Sequence, residues 1–181
     1  MLRINTLVVL ASVVAMEGLA WFVHRYIMHG PIGWGWHKSH HEHTEGWFEV
    51  NDLYAVVFTV LAGAIMTFGI AGVWPLHQIG MGLMVYGILY FIVHDGLVHQ
   101  RWPFNYAPKN SYLRRLIRGH QLHHAVHGRD GAVSFGFLYS PKVEHLKAKL
   151  RDNRSAMSRR RRPTREGAVP AKTEVDPGLV R

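Results

Sequence analysis

Cysteine is absent from all 181 residues, so disulfides, thiolate metal sites, cysteine-held iron–sulfur clusters and a cysteine nucleophile are excluded. Any metal held here must use nitrogen and oxygen ligands. The same absence leaves the redox compartment unreadable, because the chain has neither free thiols nor disulfides to report it. Acidic residues are few: 12 Asp and Glu stand against 21 Lys and Arg, a net charge of +9. That balance does not point to nucleic acid, because nine of the 21 cations fall in the last 31 positions, without interleaved aromatics. Residues 151–181 read as a basic, disordered tail, and residues 1–150 as one catalytic unit.

Charge is also scarce in three long stretches. Ile4 to Val23 has Asn5, Thr6, Ser12 and Glu17 as its only clearly polar members, and its 20 positions span about 30 Å as a helix. Leu53 to Trp74 carries no charged residue and no histidine, and Pro75 ends it. Ile79 to Val93 is uncharged and continues through Gly96, Leu97 and Val98. The expected fold is an all-α integral membrane bundle of three to four spans with a cytoplasmic histidine-rich cap, the fourth element being a hydrophobic stretch around Val133 to Tyr139. The first span lacks a small-residue cleavage site and is read as retained. Alternating spans put 13 of the 14 histidines on one side with most of the cations, which makes that side cytoplasmic in a bacterial inner membrane. His77 stands apart in the opposite turn.

Histidine is what the sequence has in abundance. HRYIMH (His24, His29) and HKSHH (His37, His40, His41) are followed in the same order by HDGLVH (His94, His99) and HQLHH (His120, His123, His124). Positions i, i+3 and i+4 share a helical side, so His37, His40 and His41 project together, as do His120, His123 and His124, and either trio can grip a metal. A spacing of five does not share an α-helical face, which predicts a local distortion where each span ends. Ten imidazoles are too many for one tetrahedral zinc, and two metals sharing eight to ten of them fit the duplication. A single interfacial histidine is more often structural, but two matching blocks make metal binding the stronger reading. Imidazole alone does not choose between iron, zinc, copper and manganese.

Three acids stand near these blocks. Glu17 lies two turns before His24 and is placed to orient a ligand, and Asp95 can accept the ring N–H of a neighbouring ligand. Asn51 and Asp52 read as a cap for the second span. His43 and His127 fall beyond the four blocks and, with Glu17 and Asp95, are candidates for supporting the ligands.

Other function classes fit poorly. A transporter would need polar groups at mid-span, a zinc protease an HExxH pair, and a b-type cytochrome histidines facing each other within the spans. The order of the blocks around a membrane hairpin closely resembles the bacterial β-carotene hydroxylases of the fatty-acid hydroxylase and sterol desaturase superfamily. HDGLVH and the segment GRDGAVSFGFLYSP (Gly128 to Pro141) carry much of that resemblance, which covers roughly Ala20 to Leu146. It implies a non-haem di-iron, oxygen-dependent monooxygenase acting at carbon 3 of β-ionone rings, taking β-carotene to β-cryptoxanthin and zeaxanthin and canthaxanthin towards astaxanthin. It implies O2 as co-substrate and electrons from a ferredoxin and its NAD(P)H-dependent reductase. The ten block histidines would be the iron ligands. Hydroxylation or desaturation of a fatty acyl chain or sterol, or carotenoid 4-ketolation, is the alternative within that superfamily.

Overall fold

A computed structural model describes residues 1–42, 48–103 and 106–161. Among these residues the chain is all helical, without strands. Helix α1 (Leu2–Phe22) passes directly into a π-helix (Val23–Met28), and α2 (Trp34–His41) follows. Helix α3 (Asp52–Ile70) turns into α4 (Leu76–Tyr90), which runs on into a second π-helix (Phe91–Val98). Two helices, α5 (Ser111–His124) and α6 (Val143–Arg161), complete the order.

Among the described residues three helical runs are long and apolar enough to cross a membrane: Leu2–Met28, Asp52–Ile70 and Leu76–Val98. Their outward residues are large and apolar, among them Leu7, Leu10, Val14, Val60 and Phe68, as a lipid-facing surface requires. The runs touch through small residues. A Cβ on Gly69 would stand 1.9 Å from the His77 backbone nitrogen, and one on Gly82 would meet Ser12 of α1 at 2.5 Å. Glycine therefore sets the spacing of α4 against both α3 and α1, because lipid supplies no hydrophobic drive between helices.

A spacing of five suits a π-turn, where the bond runs from residue i+5 back to residue i. His29 N–H donates to the His24 carbonyl at 3.0 Å, and His99 N–H to that of His94 at 2.9 Å. The distortion expected at both span ends is thus one π-helix in each half, bringing the two histidines of each pair to one side.

The fourth hydrophobic element is not a helix. Residues 125–141 form an irregular segment that packs Val126, Ala132, Val133 and Phe135 against Leu146 and Leu150 of α6. Burying such side chains stabilises by about 1.5–3 kcal/mol each, which holds the segment down without regular structure. The tail boundary also moves. Residues 151–161 continue α6, because Asn153 Nδ2–H donates to the Gly131 carbonyl at 2.9 Å and Arg154 to that of Ala125 at 2.9 Å. Composition registered the charge of this stretch and missed its docking against the buried segment.

Candidate metal centre

Two groups of imidazole nitrogens converge, each within 4.8 Å: His24, His29, His37 and His123, then His40, His94, His99 and His120. His41 joins the first set, its Nε2 3.1 Å from that of His123 and 3.3 Å from that of His37. His124 joins the second, 2.8 Å from His120. All ten block histidines thus gather in two sets of five.

The sets do not follow the halves of the chain. His37 and His41 turn to the first set while His40 turns to the second, where its Nε2 lies 3.1 Å from that of His94. The second half mirrors this: His120 and His124 stay in the second set and His123 crosses to the first. The sequence allows either trio to grip a metal by itself; in the structure each trio divides between the two sets. In a helix, residues four apart differ by about 40° in direction and adjacent ones by about 100°, so a trio covers a wedge wide enough to serve two centres.

Proton placement shows why the contacts within the first set, and that between His40 and His94, are not hydrogen bonds. The Nδ1 atom of His24 lies 2.9 Å from the Phe135 carbonyl, and that of His29 2.7 Å from the carbonyl of Arg129. Those of His41 and His123 lie 2.8 and 3.0 Å from the carbonyls of Val126 and Val133. His37 meets Asn51 Oδ1 at 2.7 Å, His40 meets Glu49 Oε2 at 2.9 Å, and His94 meets Asp95 Oδ1 at 2.7 Å. Each partner only accepts, so each Nδ1 carries the proton and, in a neutral ring, each Nε2 presents a bare lone pair. Lone pairs facing one another near 3.1 Å repel unless a cation lies among them. Two nitrogens about 2.1 Å from a shared ion and at right angles stand about 3 Å apart, so the observed spacing is that of neighbouring ligands on one metal.

Burial keeps these rings neutral. It pushes His37 down to about 3, and His41 and His99 each to about 4. It also holds His40, His120 and His123 well below the ordinary histidine value, with neighbouring imidazoles adding to the effect. At neutral pH the donors are ready for a metal without first releasing protons.

The segment at 125–141 and the histidines satisfy each other. Buried irregular backbone leaves carbonyls unpaired; here four of them orient the first set. The second set is backed by charge. Glu49 and Asp52 both pair with Arg101, and Asp95 Oδ1 lies 3.9 Å from the same guanidinium. Asp95 Oδ1 also accepts from His94 Nδ1, while Asn51 Oδ1 accepts from His37 and its side chain makes no cap bond to α3. Glu49 was missed, since nothing in its local sequence marks it. Glu17 binds no imidazole; its carboxylate accepts from the backbone of residues 137–139 and from Tyr86. His127 reaches the His41 carbonyl at 3.3 Å, outside both sets, and His43 lies outside the described residues.

A cavity of about 370 Å³ opens between α1, α3 and α4, lined mostly by apolar side chains including Met16, Ala20, Phe58 and Leu83. It reaches Tyr90, which stacks on His94 at 4.5 Å, and Phe137, which stacks on His24 at 5.2 Å. Such a site can hold a long apolar molecule from the membrane with one end against Tyr90 and Phe137, beside the histidine sets.

Known proteins agree with this chemistry. The family model described as fatty acid hydroxylase matches residues 9–144. A β-carotene hydroxylase of Pseudescherichia vulneris is 60% identical over 149 residues, covering 82% of this chain and 84% of that protein. One from Paracoccus sp. (strain PC1) is 60% identical over 146 residues, covering 80% and 90%. A chloroplastic β-carotene 3-hydroxylase of Haematococcus lacustris is 37% identical over 149 residues, covering 77% of this chain and 45% of its own. No solved structure matches the chain. With three-quarters of its length matched by the family model and most of it shared with these relatives, the chain belongs to the fatty acid hydroxylase family, alongside the bacterial β-carotene hydroxylases.

Proposed function

We propose that this chain hydroxylates carbon 3 of β-ionone rings, taking β-carotene to β-cryptoxanthin and then zeaxanthin, with ring-ketolated carotenoids such as canthaxanthin as further substrates towards astaxanthin. The observation that carries the reading is the apolar cavity opening from the spans and reaching Tyr90 and Phe137, the rings that stack on one histidine of each set. The names of the bacterial relatives supply the substrate class, and the chloroplastic relative's name supplies the position.

In this reading His24, His29, His37, His41 and His123 hold one iron, and His40, His94, His99, His120 and His124 hold the other. When bound, the two ferrous ions supply the activation of dioxygen. One oxygen atom enters the ring C–H bond and the other leaves as water, so two electrons and two protons come from outside. The chain itself supplies ligand geometry, a water-poor wall of Met16, Ala20 and Phe58, and placement of the ring against Tyr90 and Phe137. A second recess surrounds His29 with Arg25, Arg129, Lys149 and Arg160. Its charge suits an acidic, ferredoxin-type donor, and His29 links it to the first iron. The cation-rich ends of the spans favour the cytoplasm for this side.

The test is a carotenoid profile from a host that makes β-carotene, with and without this chain. Zeaxanthin with β-cryptoxanthin as intermediate is expected. Unchanged β-carotene, with the protein confirmed in the membrane and reductant supplied, would transfer the assignment to a fatty acyl or sterol substrate.

A further inference from the structure

An ionisable side chain within a span is costly unless its polar atoms are fully engaged, and Glu17 of α1 meets that condition in an unusual way. Its carboxylate accepts N–H bonds from three consecutive residues, Phe137 at 3.0 Å, Leu138 at 3.1 Å and Tyr139 at 3.0 Å, and an O–H bond from Tyr86 at 2.8 Å. The wrap is close: a Cβ on Gly136 would stand 2.6 Å from Glu17 Oε1. These contacts spend no hydrogen bond on a histidine. What they fix is the place of residue 137.

The Phe137 ring is buried and lines the apolar cavity. It stacks on His24 of the first set with its plane 8° from parallel. It meets His94 of the second set edge-on at 5.4 Å, and Tyr90 edge-on at 4.8 Å. One phenyl ring therefore touches an imidazole of each set and lines the cavity beside them.

Neighbouring ring carbons are about 1.5 Å apart, so choosing one C–H over the next requires a wall fixed to well under that distance. An irregular segment does not ordinarily give such precision. Three backbone bonds to one half-buried carboxylate do. We propose that Phe137, held in place by Glu17, is the stop that sets which ring carbon faces the two histidine sets, and hence the position of oxygen insertion. Glu17 is a positioning residue, acting through the backbone of 137–139. The inference rests on the hydroxylase reading above.

The test compares wild type with Phe137→Ala, Phe137→Leu and Glu17→Gln in β-carotene-producing cells. It measures the positions of product hydroxyls by chromatography and mass spectrometry, and bound metal by elemental analysis of the purified chains. Phe137→Ala is expected to keep its metal while the fraction of product oxygenated at carbon 2 or carbon 4 rises about tenfold or more. Phe137→Leu and Glu17→Gln should move the same way by less. Product confined to carbon 3 in all three variants, at whatever rate, overturns the stop. So does loss of metal from both Phe137 variants, which would assign the ring to the metal sites. Absence of carotenoid product from wild type itself would overturn the underlying hydroxylase reading, an outcome distinct from a wild type that works and variants that keep its selectivity.

Discussion

Alanine at His123 is expected to abolish hydroxylation and to lower bound metal from two ions per chain to one. His123 has no solvent exposure and sits where the first set is most crowded, its Nε2 3.1 Å from those of His24, His29 and His41. Removing it takes a shared corner from the set and leaves the Val133 carbonyl without the donor that pairs it. The loss should exceed the roughly 10–100-fold that removal of a supporting residue costs. His40→Ala should give the reciprocal result, emptying the second set and sparing the first. Product chromatography with metal analysis of the purified variants checks both. If a set were formed by one half of the chain, His123→Ala would instead strip the set containing His120 and His124.

A smaller, directional loss is expected when the charge behind the second set is removed. Asp95→Asn and Glu49→Gln keep the shape of each side chain but weaken the acceptors of the His94 and His40 ring protons. A carboxylate behind an imidazole raises its basicity as a ligand, and both carboxylates are held by Arg101. Each variant should lose about 10–100-fold in affinity for one of two metal equivalents, the other equivalent staying as in wild type. The first set is backed by Asn51 and four neutral carbonyls and should not respond. Competition against a chelator, following the two equivalents separately, measures this. Equal weakening of both equivalents would show that the charge acts on the centre as a whole.

Much of this arrangement is legible in the sequence. Three long apolar stretches give the spans, and the repeated order of histidine blocks gives the ten residues that converge. A spacing of five is already inconsistent with an α-helical face, and the two π-helices resolve it. The crossing of His40 and His123 is not legible, because positions 37, 40 and 41 look equivalent on an isolated helix. Only the placement of two centres, on either side of the wedge, separates them. The acceptors were harder still. Asn51 and Glu49 lie 14 and nine residues from the histidines they orient, with no periodic relation to them. The carbonyls of Val126, Arg129, Val133 and Phe135 have no side-chain signature at all. Glu17 is conspicuous as an acid within a span, yet its backbone partners lie about 120 residues away along the chain.

The most direct test of two five-histidine centres is a metal count on wild-type protein purified from iron-supplied cells, with iron, zinc and manganese determined in the same digest. Two irons per chain are predicted. A single ion per chain, or two ions that are not iron, would contradict the account.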